Sequence, residues 1–253
     1  MMDQAVIVPR VAFVINIAQA DSPRPNLARL RHLVHLFRGH RVAATWAVAD
    51  ASRARLLRDS SPSSAASEIA LTVDATWGAA HLSHTRFGNE LDHRLADLTN
   101  SAGATPTLVV GDLGLLRSRI TNLSEQGIRA IFTSRPSASV ATKSRPLPCG
   151  LWQLVPNVRW PKRCLSRWLP SRPTSVRDLM ASASEGSILV SVESAELERV
   201  GARGLQTFEK LLREVSWSAS RGQMLISTIS EIVADLVSRR EVKPQRSILR
   251  LAA

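Results

Sequence analysis

Two histidines spaced i, i+3 are the most conspicuous chemical feature of this sequence. His81 and His84 lie in the stretch DATWGAAHLSHTRFGNEL, just ahead of a helical pattern. Imidazole is a preferred zinc ligand, and a catalytic zinc site needs three protein ligands and an open position. Asp74 is the nearest residue that could supply the third. Because isolated histidine pairs in loops are commonly just solvated side chains, we expect neither zinc nor another cofactor.

Polar residues also follow the predicted strands, at their carboxyl ends. They are Asn16, Asp74, Asp112, Arg135 and Glu193. In a barrel of parallel strands these ends meet at one mouth, where such groups could form a ligand pocket or a metal-free acid–base pair. The alternative is that they cap helices and hold loops. Asp112 and Glu193 are the best candidates for a binding or catalytic role.

The positive charge of the chain is concentrated in one segment. The net charge is +12, and the stretch from Gln126 to Arg177 holds ten Lys and Arg residues without any Asp or Glu. Four of the cations flank Trp160 and Trp168, namely Arg159, Lys162, Arg163 and Arg167. Cations interleaved with aromatic rings could bind an acidic polymer or nucleic acid. We favour the alternative that the tryptophans pack the segment onto the fold while the charges stay solvated.

Several classes of protein can be set aside. The sequence has no Gly-rich phosphate loop, no Gly-x-Ser-x-Gly elbow and no Cys/His nucleophile pair, and Cys149 and Cys164 lack CxxC spacing. No apolar run approaches the ~18 residues of a membrane helix. The N-terminal stretch RVAFVINIAQADS resembles a signal peptide, but Asn16 interrupts its apolar run. We therefore expect a cytoplasmic protein without a membrane span.

Short apolar runs alternate with amphipathic stretches along the chain, which is typical of repeated β/α units. The seven predicted strands are 11–17, 41–48, 68–73, 107–112, 128–134, 187–193 and 223–228. The pattern predicts a single domain over residues 1–240, followed by a basic tail at 241–253. One loop-rich excursion, 136–173, interrupts it with seven prolines and with at most one short strand, at LWQLV.

Four helices carry clear apolar faces or end signals. Leu27, Leu30, Leu33, Val34 and Phe37 form one face of a helix that closes on Gly39. Similar faces recur at 87–98 and 205–215. The last helix opens with Thr228-Ile-Ser-Glu231, the pattern of a capping box.

The order of these elements resembles the NodB-like polysaccharide deacetylases, carbohydrate esterase family four. The segments GHRVAATWAV, SEIAL and GQMLISTISEI carry the resemblance, which spans most of the chain outside residues 136–180. It implies an α/β fold, a distorted (β/α) barrel of seven or eight mostly parallel strands. It also implies a site at the carboxyl ends of the strands.

The catalytic motifs of that family do not recur here. Asn16 and Ile17 stand where the resemblance places the paired aspartates of the base and the metal ligand, and Thr72 and Thr76 stand at the two histidine positions. Glu193 lies near the position of the catalytic histidine. Since base, metal ligands and acid are lost together, metal-dependent deacetylation is not expected.

Three functional hypotheses follow. The first is a catalytically degenerate, metal-free deacetylase-like protein that acts as a binding or accessory protein in carbohydrate or cell-envelope metabolism, with a glycan or small carbohydrate as ligand. The second is an active hydrolase of carbohydrate amide or ester bonds with a rebuilt site that uses Asp112, Glu193 and either His81 or His84. The third is a polyanion-binding module that uses residues 143–172.

Overall fold

The structure, a computed structural model, describes residues 8–17, 27–60, 67–74, 77–78, 83–133, 143–161, 175–184 and 186–242. Within them it has ten strands: β1 (Arg10–Asn16), β2 (Ala44–Val48), β3 (Ser67–Val73), β4 (Leu108–Gly111), β5 (Ala130–Phe132), β6 (Arg145–Pro146), β7 (Trp152–Leu154), β8 (Val158–Trp160), β9 (Ser187–Glu193) and β10 (Leu225–Ile226). The eight α-helices there are α1 (Leu27–Gly39), α2 (Ala51–Ser60), α3 (His84–Ala102), α4 (Leu113–Leu116), α5 (Ile120–Glu125), α6 (Val176–Ala181), α7 (Ser194–Ser220) and α8 (Ile229–Val242).

All ten strands belong to one curled sheet. Its order is β6-β7-β5-β4-β3-β2-β1-β9-β8, and β10 pairs with β1. Every strand pair is parallel except β6 with β7. The carboxyl ends of the central strands therefore lie at the same edge. This confirms the distorted, mostly parallel (β/α) barrel, with more strands than the seven or eight expected.

The extra strands are short and come from the proline-rich excursion. β6, β7 and β8 all lie within residues 136–173, where only LWQLV was considered as a strand. Trp152 and Trp160 are buried, and the Trp160 ring lies 4.8 Å from that of Phe208 on α7. The expectation that tryptophans pack this segment onto the fold is confirmed for these two, whereas Trp168 lies outside the described residues.

Side chains of the central strands alternate between two apolar layers. Phe13 and Ile15 face the outer helices, whereas Ala12 and Val14 belong to an inner layer with Ile229 of α8. Because side chains alternate along a strand, the inner layer identifies the concave face of the sheet. Helix α8 fills part of this face near the amino ends of the strands.

A partly buried carboxylate secures the start of α8. Glu68 of β3 accepts hydrogen bonds from Thr45 Oγ1 at 3.0 Å, from Ser230 N at 3.2 Å, and from the Ser230 hydroxyl. The predicted capping box is also present, because Thr228 N donates to Glu231 Oε2 at 2.9 Å and Glu231 N donates to Thr228 Oγ1 at 3.4 Å. Both arrangements place acceptors at a helix amino end, where backbone N–H groups need them.

Two helix ends agree with the sequence. Gly103 ends α3 in the left-handed region, with φ 80°. Gly39 is the last residue of α1, and Arg41, two residues later, takes the left-handed conformation with φ 54°. Among the described residues, no helix is long and apolar enough to span a membrane.

Candidate functional site

The clearest polar contact at the carboxyl edge of the sheet joins β1 to β9. Asn16 Nδ2 donates to Glu193 Oε2 at 3.1 Å, with Oε1 at 3.4 Å. The two residues are direct neighbours in the register of these parallel strands. Both side chains are partly buried. An amide and a carboxylate thus form a fixed pair at the mouth of the barrel.

Alternation places further polar residues on the same concave face. In β9, Leu189 belongs to the inner layer, so Ser191 and Glu193 share its direction. Arg159 of β8 is the register partner of Ser191, and it is exposed between two buried residues that face the outer helices. Arg159, which belongs to the segment considered for polyanion binding, therefore lies one strand away from Glu193 of the Asn16–Glu193 pair. Ser191 cannot be recognised from the sequence, because a serine inside an apolar strand gives no signal of a site.

Two buried polar atoms at the mouth have no hydrogen-bond partner within the described part of the chain. They are Asn16 Oδ1 and Thr72 Oγ1. The strand register places Ala70 of β3 level with Ala47 of β2 and Asn16 of β1. Thr72 lies two residues beyond Ala70, on the same concave face. Neighbouring strands are ~4.8 Å apart, so the two atoms lie on strands roughly 10 Å apart across β2. Buried polar groups normally have a partner, and a ligand can supply one.

Small side chains separate these two atoms. Ala47 of β2 and Ala70 of β3 are fully buried in the inner layer between Asn16 and Thr72. Small apolar side chains therefore lie between the two buried polar atoms on the concave face. Small-molecule sites likewise combine apolar surface with a few polar groups.

The two leading candidates, Asp112 and Glu193, have different roles. Asp112 is exposed and accepts from Gly114 N at 2.8 Å, so its carboxylate caps the short helix α4. Glu193 stands at the N-cap position of α7 but makes no side-chain capping bond there. Its carboxylate is turned to Asn16 instead. Helix capping explains Asp112, and it does not explain Glu193.

The loop after β3 is tightly packed beside the mouth. Asp74 is half-buried, and its carbonyl accepts from Gly78 N at 2.8 Å. Trp77 is buried against Phe87, with ring centroids 5.6 Å apart, and the Arg94 guanidinium lies 4.8 Å from the Trp77 ring. These contacts fix the direction in which the chain leaves β3.

The described residues do not provide a donor set suited to zinc. Ile17, at a position where the family resemblance places an aspartate, is buried in the helix-facing apolar layer. Asn16, Thr72 and Glu193 offer an amide, a hydroxyl and one carboxylate, whereas zinc sites use imidazole or thiolate as well. No group of three potential His, Cys, Asp or Glu ligands occurs in the part of the chain that the structure describes.

His84 has a structural contact. It is exposed at the start of α3, and its Nδ1 lies 3.2 Å from Asn122 Oδ1. The other sequence-predicted candidates lie outside the described residues and stay predictions: Thr76, His81, Arg135, Lys162, Arg163 and Arg167.

Comparison with solved structures identifies the class of fold. No protein-family model matches the sequence, and no curated protein is significantly similar to it. A structure from Mycobacterium smegmatis assigned to the polysaccharide deacetylases aligns with a TM-score of 0.62 at 15% identity, over 92% of this chain and 91% of that one. The chain thus has the polysaccharide deacetylase fold, in agreement with the sequence resemblance.

A second similar structure is a CE4 family pseudoenzyme from Bacillus anthracis. It aligns with a TM-score of 0.52 at 11% identity, over 89% of this chain and 65% of that one. A mutant of the Bacillus anthracis pseudoenzyme with restored enzymatic activity aligns with a TM-score of 0.52 at 9% identity, over 89% of this chain and 67% of that one. At these identities the likeness concerns the fold, and function must be argued from the site.

Proposed function

We propose that this protein is a catalytically degenerate polysaccharide-deacetylase-like protein that binds a carbohydrate at the barrel mouth without a metal ion. The observation that carries the proposal is the hydrogen bond from Asn16 to Glu193. It places a neutral amide at the end of β1, where deacetylation in the resembled family relies on a carboxylate. An amide cannot accept a proton near neutral pH, so Asn16 cannot act as a general base.

The polar groups at the mouth suit a sugar. Carbohydrate hydroxyls both donate and accept, and the mouth offers acceptors at Asn16 Oδ1 and Thr72 Oγ1, while Arg159 lies on β8, two strands from Asn16 in the sheet order. Ala47 and Ala70, which lie between the two acceptors, supply apolar surface against which a sugar ring face would pack. A hydroxyl that donates to Asn16 Oδ1 would satisfy a buried acceptor at no cost to the existing bond to Glu193.

Calorimetric titration tests this proposal. The probes are chito-oligosaccharides, which are N-acetylated, and acetylated xylo-oligosaccharides, which are O-acetylated, each added to protein treated with a chelator. We expect binding to at least one probe, with affinity unchanged by the chelator. Asn16→Ala should weaken it about tenfold, since a hydrogen bond contributes about 0.5–1.5 kcal/mol. Asp112→Ala is the control, because Asp112 caps α4 and should leave affinity unchanged. Lack of binding to every probe, or equal losses in both variants, would refute the proposal.

Glu193 favours one alternative, an active hydrolase with a rebuilt site. Its carboxylate is not used to cap α7, and an aspartate or glutamate can act as a general base. Under this alternative Glu193 would remove a proton from a water that attacks an acyl carbon. Release of acetate from the same probes, abolished by Glu193→Gln, would establish it. Our proposal predicts that no acetate is released by either protein.

A further inference from the structure

The solvent face of α1 is basic. Among its described side chains, the exposed ones that carry a polar group are Arg31, His32, His35 and Arg38, and exposed Arg41 follows its end. No Asp or Glu occurs between residues 22 and 49. The buried face, in contrast, packs Leu33, Val34 and Phe37 into the helix-facing core. The helix is therefore amphipathic, with a polar side of one sign only.

These charges lack acidic partners within the described residues. Elsewhere on the surface, Arg94 pairs with Glu90 at 2.7 Å, and Arg239 pairs with Asp235 at 2.7 Å. Around α1 the one carboxylate in a described ion pair is Glu209 of α7, which lies 3.8 Å from His40 at the border of the patch. A solvated helix face usually mixes both signs, which stabilises the helix. A face of one sign instead creates a field suited to an anionic partner.

The end of α1 also shapes a depression. His35, Arg38, Gly39 and Arg41 line an open concavity of about 530 Å³. Arg41 holds the left-handed conformation, with φ 54°, which is unfavourable for a side chain with a Cβ. Glycine would occupy this position without strain. Residues held in unfavourable backbone regions cluster at ligand sites.

A row of basic side chains favours a polymer with repeated negative charges. Arg31, His35 and Arg38 stand at i, i+4 and i+7, so the two arginines lie in one row, roughly 10 Å apart along the helix axis, with a histidine between them. A nucleic-acid strand carries one phosphate for about every 3.4 Å of axial length. Guanidinium groups match phosphate oxygens in a bidentate geometry. Membrane insertion would need exposed apolar residues, and the large ones that the structure describes, Val200, Trp217, Leu225 and Val237, all lie on other elements.

We propose that the Arg31–His35–Arg38–Arg41 face binds a phosphodiester polymer, with the depression beside Arg41 receiving a phosphate. This surface is separate from the barrel mouth, because the end of α1 leads into the amino end of β2 and the mouth lies at the opposite edge. In the sequence it also lies outside the proline-rich basic segment. Polymer binding and carbohydrate binding can therefore be tested independently.

The experiment measures binding of a fluorescein-labelled 20-base single-stranded DNA by anisotropy over a range of salt concentrations. The test protein carries Arg31→Gln, Arg38→Gln and Arg41→Asn, since asparagine tolerates the left-handed conformation. The matched control carries Arg86→Gln, Arg117→Gln and Arg129→Gln, three exposed arginines on α3, directly after α4 and directly before β5. Each variant therefore loses three positive charges relative to the parent protein.

We expect the parent to bind with an affinity that falls steeply with salt. Each phosphate contact on a single strand contributes about 0.7 to the slope of log K against log salt. In the α1 variant the magnitude of that slope should therefore fall by about 2, and the affinity for DNA should fall at least tenfold. The affinity of the control should stay within about threefold of that of the parent. Circular dichroism melts verify that both variants fold.

Four results would overturn the proposal. These are absence of DNA binding by the parent, retention of binding by the folded α1 variant, an equal loss in the control, and stronger binding to another probe. The other probes are hyaluronate, a sparsely charged carboxylate polymer, inorganic phosphate, and vesicles of phosphatidylcholine with phosphatidylglycerol.

Discussion

Asn16 and Glu193 lie 177 positions apart in the chain, yet the amide of one donates to the carboxylate of the other at 3.1 Å. The contact follows from the topology, because β1 and β9 are parallel neighbours in the sheet and both residues stand at the last register position. It links the first and last long strands at the mouth of the barrel. It also turns the Glu193 carboxylate away from the amino end of α7.

This contact should contribute to stability in a charge-dependent way. Asn16→Ala removes the donor and should lower the free energy of unfolding by about 1 kcal/mol. Asn16→Asp should cost more, because two carboxylates would then face each other in a partly buried site. Urea denaturation at neutral pH measures both. If Asn16→Asp proved as stable as the parent, the Asn16–Glu193 contact would not exist in solution.

Glu68 should anchor the C-terminal helix. Glu68→Ala removes the acceptor shared by Thr45 and the amino end of α8, and we expect a loss of about 2–3 kcal/mol in the free energy of unfolding. Glu125→Gln, at an exposed position on α5, serves as the control and should stay within about 0.5 kcal/mol of the parent. Similar small effects of both substitutions would show that α8 docks through its apolar residues alone.

Gly78 and Gly39 should respond oppositely to alanine. A Cβ on Gly78 would lie 2.7 Å from the Asp74 carbonyl oxygen and 2.5 Å from Val73 Cγ1, so Gly78→Ala should destabilise by at least about 1–3 kcal/mol. A Cβ on helical Gly39 would meet nothing within 4 Å, and Gly39→Ala should stabilise by up to about 1 kcal/mol. Thermal melts of the two variants compare them. An unchanged melting temperature for Gly78→Ala would contradict the tight loop after β3.

Substitutions of Arg41 should reveal the backbone strain at this position as a difference in stability. Arg41→Gly and Arg41→Ala both remove the guanidinium, but only glycine takes φ 54° without a steric cost. The glycine variant should therefore be about 1 kcal/mol more stable than the alanine variant. Guanidinium chloride denaturation of the pair isolates the backbone effect from the effect of charge. Equal stability would show that residue 41 is not held in the left-handed region.

The sequence predicted the framework because its signals are local. VAFVINI and SILVSVE are mostly apolar, and as β1 and β9 they are largely buried on both faces. The capping box at Thr228 and Glu231 was likewise readable, since its residues are three apart. Helix α2 was missed because ASRARLLRDS is too rich in arginine to show a clear apolar stripe, although Ala54 and Leu57 are buried.

The pairing at the mouth could not be predicted from local signals. Asn16, Arg159 and Glu193 were each singled out, but as separate candidates with different roles. Only the strand order brings β8, β9 and β1 side by side. Proline density also concealed β8, so Arg159 was assigned to a loop rather than to the concave face. Roles that depend on long-range strand pairing are set by the order of strands in the sheet, and that order is difficult to infer from a single sequence.

The most direct test of the central claim is an acetate-release assay on chito-oligosaccharides and acetylated xylo-oligosaccharides. The parent protein is assayed after chelator treatment and again after addition of zinc or cobalt, with Glu193→Gln in parallel. A degenerate, metal-free binding protein should bind at least one of these probes and release no acetate in any of the assays. Acetate release that requires the metal, or that disappears in Glu193→Gln, would contradict the account.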